Sequence, residues 1–269
     1  MPEIHNLAGN CLELEFYYQV ADNIIKSFNN FDIVFTADGP GDSFKPLVRT
    51  KLPKLVFHFS DELNNKPTWI DNIDVFLLFK NYAPLAIHPK IIPIPLPPIR
   101  GFCGGGSKLI KDRPIDVFFS GQTNNPPRKV MLSELEAFKQ NNPQYNLLLR
   151  DSGGFSLGYD IKEFSSILSN TKIAICPAGN NSETFRWTEA TKCGCSIIGN
   201  PKPNYWYYQE TPHILVRHWS EIHQILPKLL TSYSLMEDFR VKNIKHFNDK
   251  LSVEAVSNKL IAEIQLRLK

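Results

Sequence analysis

The stretch Lys172-Ile-Ala-Ile-Cys-Pro-Ala-Gly-Asn-Asn-Ser-Glu-Thr-Phe-Arg-Trp-Thr-Glu-Ala-Thr-Lys-Cys-Gly-Cys-Ser-Ile-Ile-Gly199 decides how this chain is read. Its order is buried strand, polar loop, helix, buried strand. Ile173 to Cys176 is apolar without alternation, the pattern of a strand covered on both faces. Pro177 to Ser182 is loop chemistry, and Ser182 is placed to cap a helix whose first turn carries Glu183. Gly194 ends that helix, and Cys195-Ser-Ile-Ile198 is the next strand. A helix that opens at the carboxyl end of a parallel strand aims free backbone N–H groups into a crevice, a common place for phosphate. Arg186, Glu189 and Cys193 share one stripe of the helix, at spacings of three and four. A cation beside the helix start suits a diphosphate, and a carboxylate one turn later suits ribose hydroxyls. The plainer alternative, an Arg186–Glu189 ion pair on the surface, weighs about the same on spacing alone.

Strand and helix patterns alternate on both sides of this stretch. In the first half a helical spacing runs from Leu12 to Phe28. Strands are predicted at Asp32–Thr36, Lys54–Phe59, Asp74–Phe79 and Lys90–Ile94, with a turn cluster at Asp38–Asp42. The run Pro93 to Ser107 holds four prolines and four glycines, so it reads as a linker, stiff and then flexible. Strands at Asp116–Ser120 and Tyr145–Leu149 follow, with a helix over Lys129–Gln140 and a short one over Ile161–Ser169. Beyond the central stretch come the aromatic cluster Tyr205–Tyr208, a strand at Ile214–Arg217 and a helix over Ser220–Leu230. A terminal helix carries Val253, Val256, Leu260, Ile264 and Leu268 on one face.

The segment Cys176 to Cys195 resembles the donor-site motif of exostosin-like glycosyltransferases: Cys-Pro, a Gly-containing turn, an aromatic-Arg pair, Glu-Ala, then Gly-Cys. Phe118-Phe-Ser-Gly-Gln122 followed by Arg128 resembles the strand that opens the nucleotide-binding half. His58-Phe-Ser-Asp-Glu62, Lys80-Asn-Tyr82 and Ile94-Pro-Leu96 resemble the acceptor half of related enzymes. The likeness covers roughly residues 55 to 220. Ala178 departs from it, standing where the family often has a basic residue. Glu183 and Glu189 are too close together for the spaced glutamate pair of retaining enzymes, which favours an inverting mechanism.

The resemblance implies an α/β protein of the GT-B class, with two Rossmann-like domains facing across a cleft. Residues 1–100 would form the acceptor side and 108–250 the nucleotide-sugar domain, with helix 251–269 packing back toward the first domain. It implies transfer of a sugar from a UDP-sugar to a glycan acceptor, with no metal and no cofactor besides the donor; the want of an obvious second basic cluster to hold a sugar carboxylate points to xylose or another neutral sugar. The donor contacts would come from Arg186 and Glu189, from Asn181, Ser182 and Glu183 at the helix entrance, and from Arg128 and Gly121. The base that takes the acceptor proton would be Glu62 or Asp61, at the carboxyl end of a strand; capping a helix start is the equal alternative for both. His58 is read as a strand residue packed in the interior. Trp206 and Tyr207 are read as stacking on a sugar or docking in a core. Two rivals stand beside this reading: a non-catalytic nucleotide-sugar-binding relative, and a fucosyltransferase-like enzyme using a GDP-sugar.

Composition narrows the class. A net charge of +3 with scattered lysines gives no basic patch for nucleic acid. No apolar run approaches the roughly 20 residues of a membrane span. The N-terminal residues carry no leader pattern, so a cytoplasmic location is expected. Five cysteines at irregular spacing make neither a disulfide framework nor a zinc site, and Cys193 and Cys195 read as buried thiols.

Overall fold

Continuous apolar runs fix two parallel sheets. The computed structural model describes residues 2–37, 51–60, 62–71, 74–86, 88–154 and 157–269. The Asp38–Asp42 turn and the candidate base Asp61 lie outside the described residues. The chain divides into two units. The first holds the residues through Arg100, Tyr205–Tyr207 and Lys250–Lys269; the second holds Gly101–Asn204 and Tyr208–Asp249.

The first unit is a parallel sheet of β1 (Ile4–Asn6), β2 (Asp32–Ala37), β3 (Lys54–Phe59), β4 (Val75–Lys80) and β5 (Ile91–Pro93), with spatial order equal to chain order. Every residue of β3 is buried, so its sequence shows no alternation. Phe35, Phe57 and Phe79 stand side by side across three strands, with ring centroids 5.3 and 4.8 Å apart. Helix α1 (Leu14–Ser27) and the C-terminal helix α7 (Val253–Leu268) supply Tyr17, Val20, Ile24, Val256, Leu260 and Ile264 to the same core. Trp206 donates its indole N–H to the Pro93 carbonyl at 2.8 Å, and Tyr207 is fully enclosed, so both aromatics dock in the protein interior. One register position beyond the phenylalanine row stand Thr36, His58 and Lys80, all buried. His58 lies within β3, its Nδ1 2.7 Å from Thr36 Oγ1. Among the described residues the strand order of this unit shows no reversal and so no switch point.

Glu13, just before α1, is 2 % exposed, and burial raises its carboxyl pKa to about 7 against backbone hydrogen bonds that offset only part of the shift. A carboxyl whose folded pKa lies above its unfolded value binds more protons in the native state. Stability is therefore lost as pH rises from about 4.5 through 7. Glu13→Gln is expected to stabilise the protein at pH 8 by on the order of 1–2 kcal/mol, and to lose that advantage below pH 4.5. Thermal melts of both proteins at pH 4 and pH 8 check this; an equal difference at the two pH values contradicts it.

The second unit contains β6 (Ile115–Gly121), α2 (Pro126–Asn141), β7 (Leu147–Asp151), α3 (Ile161–Ser169), β8 (Thr171–Cys176), α4 (Phe185–Lys192), β9 (Ser196–Gly199), β10 (His213–Leu215), α5 (Ile222–Leu230) and α6 (Tyr233–His246). Its parallel sheet has the order β10-β9-β8-β6-β7. The winding reverses between β6 and β8, the place at whose carboxyl ends open α/β sheets bind ligands. Helix α2 starts earlier than the sequence suggests, because Asn125 caps it through a bond from the Arg128 amide and Pro126 and Pro127 fill its first positions. The glycine-rich part of the linker is pinned rather than loose. Cys103 and Gly105 donate backbone N–H groups to Ser165 and Ser169, and Arg240 donates to the Gly106 carbonyl. A Cβ on Gly104 would sit 2.5 Å from the Phe102 ring, so close approach explains that glycine better than flexibility does.

Candidate functional site

The site grows from the two strand ends that flank the reversal. β6 finishes at Gly121 and β8 at Cys176. The loop after β8 is tied down on several sides. The Ala178 N–H donates to Asn200 Oδ1 at 2.8 Å, and the Gly179 N–H donates to the Asn181 carbonyl at 2.8 Å. Asn181 Oδ1 accepts the Glu183 N–H at 3.0 Å. That bond moves the helix entrance: the cap of α4 is Thr184, not Ser182, and Ser182 sits half-buried in the loop. Glu183 therefore precedes the helix instead of occupying its first turn. Its carboxylate is buried and accepts from the Tyr208 hydroxyl at 3.3 Å.

Arg186 projects from the first turn of α4 toward the end of β6. A Cβ placed on Gly121 would lie 3.1 Å from Arg186 Nη1 and 3.3 Å from Nη2, so the absence of a side chain there admits the guanidinium. Phe119 and Phe164 flank it, their ring centroids 5.7 and 5.8 Å from Cζ. Its Nε is enclosed with no hydrogen-bond partner among the described residues, and burial pulls its pKa down. Glu189 is 2 % exposed, which removes the surface-pair alternative; its charge acts on Arg186 through the field between them.

Arg128 reaches the same place from α2. Its Nε donates to the Ala178 carbonyl at 2.8 Å and Nη1 to the Gln122 carbonyl at 3.1 Å. A third cation, Lys202, comes from the loop after β9 and donates to the Ser182 carbonyl. Burial drops its pKa to about 8. Arg186, Lys202 and Arg128 all act on the Cys176 thiol, which burial nonetheless pushes up to about 12. On its β10 side Lys202 also lines a cleft of about 280 Å³ together with Asn204, Tyr208, Glu210, Thr211 and His213, none of them at the β6–β8 strand ends.

Gly121, Arg128, Asn181, Ser182, Glu183, Arg186 and Glu189 thus belong to one unit and gather around the reversal. Glu62 belongs to the other unit, exposed just past β3, after Ser60 at a positive φ of 67°. The sequence reading passed over Lys202. Its setting, Asn-Pro-Lys-Pro-Asn after a buried strand, marks a strand-end loop and is the signal that was available. Cys193 and Cys195 are buried free thiols with raised pKa values. Among the described residues no helix is long and apolar enough to cross a membrane.

No family model and no curated protein sequence matches the chain. Solved structures do. A glycosylation-associated protein (Gap123) complex from Streptococcus agalactiae aligns at TM-score 0.57 and 9% identity, over 90% of this chain and 55% of that one. A mutant of S. aureus TarM in complex with fondaparinux, α-GlcNAc-glycerol and UDP aligns at TM-score 0.58 and 11% identity, over 93% and 58%. An α1,3-fucosyltransferase with GDP aligns at TM-score 0.55 and 12% identity, over 99% and 90%. The chain spans little more than half the length of the first two. The likeness establishes the fold: an α/β protein with two parallel sheets, of the GT-B class.

Proposed function

We propose that this chain is a glycosyltransferase that takes a nucleoside-diphosphate sugar as donor and a glycan as acceptor. The observation that carries the proposal is the Arg186 guanidinium, desolvated at the β6–β8 reversal, its Nε enclosed without a hydrogen-bond partner among the described residues. A buried charge without close pairing is unfavourable, and an incoming diphosphate would relieve it. Backbone N–H groups at the start of α4 and the Arg128 side chain add to the same anion site. Glu189, one turn on, would accept the ribose hydroxyls.

In the transfer, the acceptor oxygen attacks the sugar's anomeric carbon and gives its proton to a carboxylate, assigned here to Glu62 or Asp61. The bond from anomeric carbon to phosphate oxygen breaks, and its electron pair leaves on the diphosphate, whose growing charge falls to Arg186 and the α4 amides. Inversion and independence from metal belong to the same proposal, as does a cytoplasmic location.

The exostosin-like motif at 176–195 supports a UDP-linked sugar, and the sequence shows no obvious second basic cluster for a sugar carboxylate, which favours a neutral one such as xylose. A GDP-sugar is the second reading, favoured by the likeness to a fucosyltransferase with GDP along 99% of this chain. Thermal melts with UDP, GDP, CMP and ADP separate the two, because a ligand that binds only the native state raises its stability. The proposal expects one uridine or guanosine diphosphate to raise Tm by several degrees; no shift with any of the four counts against it. With the donor known and no divalent metal added, Glu62→Gln or Asp61→Asn should cut turnover while leaving donor affinity intact.

A further inference from the structure

We propose that Lys202 is a diphosphate-binding residue of the donor site, gripping the phosphate group that Arg186 does not. The proposal rests on the donor-site reading above and adds to it a residue that makes the site prefer diphosphates over monophosphates.

Strand order sets the two cations apart. β8 lies between β6 and β9. Arg186 settles over Gly121 at the end of β6, and Lys202 arrives from the loop after β9. Neighbouring strands are about 4.8 Å apart, so the two cations approach from strand ends roughly 10 Å apart, on either side of β8. A single phosphate at one of them leaves the other unmet, whereas a diphosphate across the end of β8 can meet both. The entrance of α4, which follows β8, lies between them.

Lys202 is suited to an arriving anion. Its ammonium donates to a carbonyl, that of Ser182, in the loop that leads from β8 into α4, and it acts on the Cys176 thiol at the end of β8 as Arg186 does. The groups that face it are Cys176 on β8, Glu183 in the loop, Arg128 from α2, the Tyr208 ring at 6.0 Å, His213 at the start of β10, and Glu210, which lines the same cleft. Cys176 and His213 are pushed to about 12 and about 4, so neither titrates between pH 7 and 9.5. Burial lowers the Lys202 pKa to about 8, and a bound diphosphate would restore the proton. Diphosphate affinity should then fall as pH rises above 8, by up to tenfold per pH unit.

Isothermal titration of UDP, UMP, GDP and GMP into the wild type, Lys202→Met, Lys202→Arg and Arg186→Ala tests this, with melting curves confirming the fold of each. The expected result is a 10- to 50-fold weaker diphosphate in Lys202→Met, a monophosphate changed less than threefold, and partial recovery in Lys202→Arg. The wild-type decline above pH 8 should vanish in Lys202→Met. Wild-type diphosphate binding in Lys202→Met, with Arg186→Ala impaired, overturns the role of Lys202 and leaves the donor site standing. Loss in neither variant overturns the donor-site reading itself. Should Lys202→Met fail to fold, wild-type affinity independent of pH between 7 and 9.5 overturns the proposal.

Discussion

Arg186→Ala is expected to raise the Kd for the cognate nucleoside diphosphate about 30- to 100-fold, a loss of about 2–3 kcal/mol, with the free nucleoside nearly unaffected. Among the described residues the guanidinium Nε is enclosed without a hydrogen-bond partner, and its other two nitrogens lie against Gly121. Removing a desolvated cation whose Nε lacks a partner among the described residues should not destabilise the unliganded protein, and a slightly higher Tm is expected. Calorimetry and a melting curve on one preparation read both effects. A folded variant that binds the diphosphate as the wild type does would dismiss the donor-site assignment. A variant that simply unfolds would make Arg186 a structural residue.

The second large effect belongs to Arg113, which is 1 % exposed and is held by carbonyl oxygens. Its guanidinium donates to the carbonyls of Lys108, Thr171 and Cys193, at 2.8 to 3.1 Å. These bonds fasten the linker's end to the start of β8 and the end of α4. Arg113→Ala strands three carbonyls at once and is expected to destabilise the protein by about 3–5 kcal/mol. Arg113→Lys should recover less than half, because an ammonium lacks the planar fork. Urea unfolding measures both. A loss under about 1 kcal/mol for the alanine variant would show that water replaces the guanidinium without penalty.

The sequence was informative wherever burial on both faces erased alternation. Lys54–Phe59 and the run into Cys176 are strands with every residue enclosed, and the non-alternating apolar runs Leu55–Phe57 and Ile173–Cys176 within them say so. The stripe Arg186–Glu189 was visible for the same kind of reason, since helix spacing fixes which side chains share a face. Choices among similar local signals were not visible. Ser182 and Thr184 both look like capping residues, and a local turn, Asn181 taking the Glu183 amide, puts the helix start at the second although its hydroxyl caps nothing. Helix α6 escaped notice because only Met236, Asn243 and His246 are buried along its fourteen residues, which leaves no apolar stripe. Strand β1 is three residues long and gives no period to read. Lys202 and Arg113 are lone cations whose meaning comes from strand order and from carbonyls distant in sequence. Glu62 is exposed beyond β3, and its role as base rests on the proposed chemistry.

The central claim is that a nucleoside diphosphate occupies the reversal between β6 and β8. A crystal structure of the chain with whichever of UDP or GDP gives the larger thermal shift tests it most directly. The account predicts diphosphate oxygens within hydrogen-bond distance of the Arg186 guanidinium and of the α4 entrance, with ribose hydroxyls on Glu189. Nucleotide bound elsewhere, with the Arg186 guanidinium still resting over Gly121 and untouched by phosphate, would contradict it.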